Sequence, residues 1–578
     1  MSFNTGNAVP STDAKDLSDN SENFDSAVNS QADTWQDRLQ VTRDTVAGRI
    51  KKMGYAVPLL YAGGISFGVN DNVKTVDESA TIYAPLPSAL PFTTSGTWVG
   101  DDDAKFFVVQ NGSSSGFGAN VRSTNTGVSI SAYANKVDGL YVVDSTTDNL
   151  YKFSSLDFTA EVTEDSASGY YVPPITDLTG ASGAWVLASG TLTADASVIV
   201  GAGEKHTTLN SLFDALSNIT SKNKNSMEVT LKAGFVMAEQ ILIYGANYGW
   251  VKISSIDAEV TVTRSAMTLS LGSFDNSIPV FGGIGSTLPV INVMFRMDTS
   301  GAPIARQDGL FVENGTAIIL PGAGFQDFTE VGIYANSGSK ITAEGTNCSG
   351  SGVYGYFAFK SSSINCQSAT GNNCIQYGLY INRASQASAN LATFNNAGIN
   401  AVRVIRGSTL AWEDGVGTGA GQDGLHCLNS VAQCLRADVS NSGSSGINSY
   451  DSSQVDFRSG VALACGGIAS LWAFRCGTID ADGATATGSL SATAAVLAQR
   501  ASNINFQDGD CSGSTALYGI RSSESSRINA KNANAQKGGA PAASDCSVEF
   551  GGTINFDGGT GGTDTAVNAI SSKGIIFQ

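Results

Sequence analysis

A short motif returns through the second half of the chain at a constant step. Gly309-Leu310-Phe311-Val312, Gly332-Ile333-Tyr334-Ala335, Gly355-Tyr356-Phe357-Ala358 and Gly378-Leu379-Tyr380-Ile381 follow one another every 23 residues. The series continues at Ala401-Val402-Arg403-Val404 and Gly424-Leu425-His426-Cys427, and with small insertions to Asp545. Nine places into each unit a second apolar position recurs, as Ile318, Ile341, Ile364 and Leu410. Two places beyond it come residues such as Leu320, Ala343, Cys366, Trp412, Leu435 and Phe457. A fixed period of this size is the signature of a solenoid, and alternation with period two inside it predicts strands. The strands are short and interrupted by Gly, Ser and Asn, so each unit makes one rung, paired only with its neighbours. The fold class predicted is mainly β: a right-handed parallel β-helix of about 23 residues per rung. Leucine-rich repeats have a similar length but need a leucine and asparagine pattern that is missing. Eleven rungs about 4.8 Å apart give a rod roughly 50 Å long.

The other properties fit an all-β protein outside the helical cytosolic class. The 578 residues carry a net charge of −18, only 15% charged residues and 66 glycines. An acidic balance argues against binding a phosphate backbone, which needs clustered Lys and Arg. The first residues lack a basic start and an apolar run, and no window approaches a membrane span. No nucleic-acid partner and no membrane insertion are expected. All nine cysteines fall between Cys348 and Cys546. Cys366, Cys427 and Cys434 occupy inward offsets and read as buried small hydrophobes made in a reducing cytoplasm. His206 and His426 are isolated in sequence, so neither a metal site nor a cofactor is expected.

The chain divides into four parts: a helical segment over 1–55, a small β module over 56–105, another over 106–200, and the β-helix over 201–578. In the first part, Thr12 and Asp13 offer N-cap oxygens ahead of Leu17, Phe24 and Val28, which share one face. A second helical run would carry Trp35, Leu39, Val46 and Ile50. Stripes this thin cannot stand alone and call for partner chains. Strands are expected around Tyr61, Phe67, Val73 and Ile82, then at Phe106 to Val109, Val128 to Ala132, Leu140 to Val143, Leu150 to Phe153 and Trp185 to Leu187. Thr207 or Thr208 caps a helix whose face is Leu209, Leu212, Phe213 and Leu216. That helix would cover the open end of the first rung.

The opening Phe3-Asn4-Thr5-Gly6-Asn7-Ala8-Val9-Pro10-Ser11-Thr12-Asp13, with Asp16-Leu17 and Asp19-Asn20-Ser21-Glu22-Asn23-Phe24-Asp25, resembles the virion-anchoring N-terminus of bacteriophage tail fibres and tailspikes. So does Ala80-Thr81-Ile82-Tyr83-Ala84-Pro85-Leu86-Pro87, leading to Pro91-Phe92-Thr93-Thr94-Ser95-Gly96-Thr97-Trp98. The helix, strand, Gly and strand from 207 onward look like the entry into pectate-lyase-type phage β-helices. The resemblance implies a homotrimer, attachment to a tail protein through Leu17, Phe24, Val28, Trp35 and Leu39, and a place in the virion tail after synthesis in the host cytoplasm. It implies a bacterial surface glycan as the distal partner.

Two sets of residues are candidates for chemistry. The outward offset of the first strand reads Phe311, Tyr334, Phe357, Tyr380, Arg403 and His426. Exposed aromatics in a column mark an interface: a seam between protomers, or a platform on which sugar rings stack. The acidic set comprises Asp482 and Asp508, read as sharing one offset on adjacent rungs, and Glu413 and Asp414, read as one rung before Asp438. Stacked carboxylates raise one another's pKa, and two carboxylates about 5 to 9 Å apart hydrolyse glycosides. A lyase would use His426, Arg403 and Tyr380 instead. Three functions stay open: a receptor-binding adhesin, a depolymerase of capsule, lipopolysaccharide or exopolysaccharide, and a purely structural spike. Binding without catalysis is favoured, because the solenoid is regular and lacks a long cleft-forming insertion. No lectin-like domain is expected after Phe556.

Overall fold

In a computed structural model the described residues are 128–134, 136–221, 224–271, 276–300, 302–536, 545–560, 569–570 and 574–577, with shorter pieces before residue 125. They form two compact units, Met1–Thr193 with Asn218–Thr220, and Ala194–Ser217 with Ser221–Gln578.

The first unit is built of small sheets. One contains Leu59–Leu60, Val76–Glu78, Thr81–Pro85 and Phe106–Val109. Another runs through Val121–Ser123, Tyr141–Asp144, Asn149–Ser154, Ala184–Leu192 and Tyr171–Val172. Trp185 anchors this second sheet, 4.9 Å from Phe153 and 5.7 Å from Tyr133 between ring centroids. Two expectations are corrected here. The strand expected over Val128 to Ala132 is a turn of 3-10 helix at Ile130–Ala132. Ser129 and Ser131 share a hydroxyl hydrogen bond of 2.9 Å, a local bond that competes with the strand ladder. Trp35 lies in a strand, Thr34–Gln36, that pairs antiparallel with Thr42–Asp44. The aromatic and β-branched residues of these two triplets favour a pleated ribbon over a helix.

Asp102 ties part of this unit together. Its buried carboxylate accepts bonds from the Tyr61 hydroxyl (2.6 Å), the Ser95 amide (2.7 Å) and the Lys105 ammonium (2.8 Å). Burial pushes its pKa up, but these donors outweigh burial and hold the carboxyl at about 2. A depressed carboxyl stabilises the fold above its unfolded value, near 4, and that contribution disappears as pH falls through 2. The Tyr61 environment, followed by tyrosine fluorescence, is therefore expected to melt between about pH 4 and pH 2. An Asp102→Asn chain should show no such acid limb.

The second unit opens as the pattern of apolar residues dictates. The Thr208 hydroxyl accepts the Ser211 N–H at 3.1 Å and caps the helix Leu209–Leu216, whose Leu209, Leu212, Phe213 and Leu216 are buried. The Glu239 carboxylate accepts the next two free amides, those of Leu209 and Asn210, at 2.6 and 3.0 Å, where the helix dipole favours an anion.

Beyond the helix the chain winds into a parallel β-helix with three ladders. The first is a 14-stranded sheet from Ile241–Tyr244 to Ala569–Ile570. The second is a 12-stranded sheet from Thr316–Ile318 to Ile575–Phe577. The third starts as four strands ending at Gly324–Gln326 and continues as single bridges, Gly324 to Asn347, Asn347 to Thr370, and onward to Thr560. What the sequence presents as polar loop is thus hydrogen-bonded from rung to rung. Inward residues match inward residues: Leu310, Ile333, Tyr356, Leu379, Val402 and Leu425 are successive partners, and all are fully buried. Cys366, Cys427 and Cys434 are buried free thiols, with burial pushing Cys427 up to about 12.

Two devices fix the rung. At Gly332, an added Cβ would lie 2.6 Å from the Cβ of Cys348 and 2.7 Å from the Gly355 carbonyl oxygen, so the first ladder and the third approach too closely for a side chain. At most corners after a first-sheet strand, one or two residues in left-handed backbone precede a buried serine, while Gly315, Gly477 and Gly552 take that place at others. The Ser385 hydroxyl donates to the Asn382 carbonyl (2.7 Å) and accepts the Ser362 amide (3.2 Å). Ser362, Ser408 and Ser453 repeat the arrangement. The result is a serine ladder along the rod.

The rungs are not all of one length, and this corrects several inward assignments. Ser408 and Ser430 are 22 residues apart, Ser502 and Ser526 are 24. Leu435 is accordingly only half-buried, and Cys434 takes the inward place. In the first repeat Ala317 and Ile319 point inward, while Ile318 is 45% exposed. Among the described residues no helix is long and apolar enough to cross a membrane.

Candidate functional site

The first sheet's outward face carries the most unusual side chains. Tyr334, Phe357 and Tyr380 stack in register at centroid distances of 4.6 and 4.9 Å, and Phe311 meets Tyr334 edge-on at 5.1 Å. Tyr354 and Tyr377 form a second stack beside them at 5.5 Å. These residues make one cluster with Leu271, Val331 and Ile405, separate from the residues inside the coil. The column therefore points outward as the alternation predicts, but it is not an exposed platform. Phe311 and Tyr334 are 0% and 3% exposed, Phe357 and Tyr380 each 8%. Rungs spaced at about 4.8 Å set aromatic rings close to stacking distance, so each ring covers its neighbour within a single chain. What remains at the surface is the flank, where Tyr354, Phe359, Ile399 and Leu428 are half-buried.

Arg403 closes one end of this slab. Its guanidinium lies 5.3 Å from the Tyr377 ring and 5.6 Å from the Tyr380 ring, and donates to the Tyr377 hydroxyl. Burial raises the Tyr380 phenol above its ordinary pKa, against the pull of Arg403. His426 is the in-register partner of Arg403 on the next rung. Its Nδ1 is 3.0 Å from Oδ2 of Asp423, a carboxylate that is almost wholly buried. Asp423 also accepts from the Asn448 amide group (3.1 Å) and the Ser445 backbone N–H (3.2 Å). Its own N–H donates to Asn400. With Nδ1–H donated to the carboxylate, a neutral imidazole presents Nε2 as its acceptor. Arg403 Nε and Asn448 Oδ1 are buried with no hydrogen-bond partner among the described residues. The structure thus joins Tyr377, Tyr380, Arg403, Asp423, His426 and Asn448. The sequence pointed to Tyr380, Arg403 and His426; Asp423 was missed. Its signal was a carboxylate three places before the only histidine of the repeats.

The acidic pairs are not brought together. Asp480 pairs with Asn505 and Thr485 bridges Asp510, so Asp482 aligns with Gln507 and Asp508 with Gly483. A rung one residue shorter than assumed separates the two carboxylates. Asp508 is an exposed turn residue that accepts from Asn532 and Gln507, which together hold its carboxyl below the usual range. Asp414 forms a two-pronged ion pair with Arg436 at 2.6 and 2.7 Å, and Arg436 likewise lowers its pKa. Asp438 bridges Val416, not Glu413 or Asp414. By register none of these carboxylates stands directly opposite another on the neighbouring rung. No group of three His, Cys, Asp or Glu capable of holding a metal occurs among the described residues.

Of the attachment residues, Leu17, Phe24 and Leu39 lie outside the described residues. Val28 is 41% exposed and Trp35 half-buried in its strand.

No protein-family model matches the chain, and no curated protein matches its sequence at a significant level. Among solved structures it is similar to the full-length tailspike protein 2 from Escherichia coli O157:H7 bacteriophage CAB120 (12% identity, 93% of this chain and 63% of that one, TM-score 0.30). It is also similar to the gp42 tailspike of Acinetobacter phage vb_AbaP_AS12 (11%, 79% and 73%, TM-score 0.29). A third is the A-module of the Azotobacter vinelandii mannuronan C-5 epimerase AlgE4 (12%, 60% and 90%, TM-score 0.26). Likeness at these values assigns no role to this chain.

Proposed function

We propose that the chain is a bacteriophage tail fibre or tailspike whose parallel β-helix binds a glycan on the host surface. The observation that carries the glycan-binding reading is the outward flank of the first sheet, where half-buried aromatics run into Arg403 and His426. Such a surface offers apolar faces to sugar C–H groups beside fixed hydrogen-bond donors and acceptors. The resemblance of residues 3–25 and 80–98 to virion-anchoring segments supports attachment through the N-terminus, with a homotrimer as the assembled form. Purified protein is expected to block adsorption of the parent phage to its host. An Arg403→Ala, His426→Ala double variant should fold normally and lose most of that inhibition. Full inhibition by the double variant would refute the placement of the site.

A second reading rests on the Asp423–His426 hydrogen bond beside Arg403. A guanidinium that neutralises a uronate carboxylate, with an oriented imidazole to remove the adjacent proton, is the apparatus of β-elimination. Incubation with host polysaccharide separates the two. Intact polymer is expected if the face only binds, whereas release of unsaturated uronate, abolished by His426→Ala, would establish the lyase.

A further inference from the structure

At the corners after the first-sheet strands, one column of residues in left-handed backbone carries unequal charge along its length. Lys360, Arg383 and Arg406 succeed one another at φ 53°, 56° and 58°, followed by Asn429, Asp451, Arg475, Arg500 and Glu524. In the later part the charges cancel: Arg475 faces Asp451 at 3.9 Å and Arg500 faces Glu524 at 3.2 Å. In the earlier part three cations stand on three consecutive rungs with no acid among them in the column. Arg383 and Arg406 are exposed, and among the described residues neither enters an ion pair. The turn itself does not demand them, since left-handed backbone favours Gly or Asn. Indeed Asn429 holds the same corner one rung later.

Neighbouring groups make this strip more than a solvated edge. The Phe359 ring, half-buried at the flank of the aromatic slab, has the Lys360 ammonium 5.1 Å and the Arg383 guanidinium 4.8 Å from its centroid. Arg403 stands on the strand just before Arg406, with its buried Nε unpartnered. Four cations and an aromatic face thus lie along about 10 Å of the axis, on a chain whose net charge is −18. Cations repeated at one per rung suit a polymer with repeated anions, because each further contact is made at high effective concentration. Guanidinium forks match planar carboxylates in a two-pronged manner, and the ring beside them suits a sugar face.

We propose that this strip binds a carboxylated polysaccharide laid along the rod axis, with its acid groups on Arg383 and Arg406. The proposal rests on the glycan-binding reading above and names the class of glycan. The test uses the full-length protein and an Arg383→Ala, Arg406→Ala double variant. Retention is measured on immobilised polygalacturonate, hyaluronan and polysialic acid, on their carboxyl-reduced forms, and on single-stranded DNA. At least one acidic polymer is expected to retain the wild type and to lose it on carboxyl reduction and in high salt. The double variant should bind that polymer about tenfold or more weakly with unchanged melting, since both side chains are exposed. Retention by none of the three acids, equal retention of a reduced form, equal binding by the variant, or stronger binding to DNA would each overturn the proposal. Phage-blocking activity distinguishes the two levels. If wild type and variant block adsorption equally while acidic polymers are ignored, only the acidic class is lost. If neither blocks adsorption, the glycan-binding reading falls with it.

Discussion

Tyr334→Ala is expected to destabilise the β-helix by about 3–5 kcal/mol, the range for truncating a buried aromatic side chain. Its ring is 3% exposed and lies between Phe311, met edge-on, and Phe357, on which it stacks, in a column that one chain completes. Removing it opens a cavity between rungs that the backbone cannot close, because ladder bonds fix the spacing on both sides. The midpoint of guanidinium unfolding measures the loss. Concentration dependence gives the mechanism: a column serving as a seam between protomers would lose more stability on dilution, whereas the stack within one chain predicts a loss independent of concentration. Tyr244→Ala serves as the control, since that ring is 62% exposed and surface truncations stay within about 0.5 kcal/mol.

The second large effect is expected from a single methyl group. In Gly378→Ala the new Cβ would lie 2.5 Å from the Cβ of Phe394 and 2.9 Å from the Ala401 carbonyl oxygen. Neither atom is the far end of a flexible side chain, so the first and third ladders must separate. Overpacking of this kind costs about 1–3 kcal/mol, or more where backbone must move. Gly407→Ala offers the contrast. Its φ is +73° and nothing stands within 4 Å of the added carbon, which leaves the left-handed penalty of about 1–2 kcal/mol. Thermal melts of the two variants are expected to rank Gly378→Ala as the less stable. The reverse order would mean that close approach between ladders does not select the glycine column.

The parts of the fold that were legible in the sequence are those in which one residue's role repeats. Leu310, Ile333 and Leu379 announced the inward face because strand alternation puts every second residue there. Thr208 announced the helix because an oxygen before an apolar face is what free amides require. Elsewhere the sequence misled for definable reasons. The Asp482 and Asp508 pairing failed because a slip of one residue moves a side chain to a different place on the rung, and the steps between paired residues vary from 22 to 26 along the repeats. The aromatic column was given the correct face but the wrong exposure, since burial there depends on the same residue type recurring at ring-stacking distance. Trp35 was read by a helical period that its hairpin does not follow. Asp423 was invisible because its role depends on a partner three residues on, His426, and on Asn448 one rung away.

The serine ladder has a consequence for size. From Ser339 to Ser453 each serine amide meets the hydroxyl of the serine one rung on, so the bond that ends one rung is the bond that begins the next. Excising residues 386–408 would join Ser385 to Thr409, removing one complete turn while restoring the same chemistry at the join. Reach along the axis is therefore quantised, in steps of about 4.8 Å. Such a molecule can be lengthened or shortened by whole turns without redesigning its interior, while a loss of half a turn would leave a hydroxyl and an amide facing nothing.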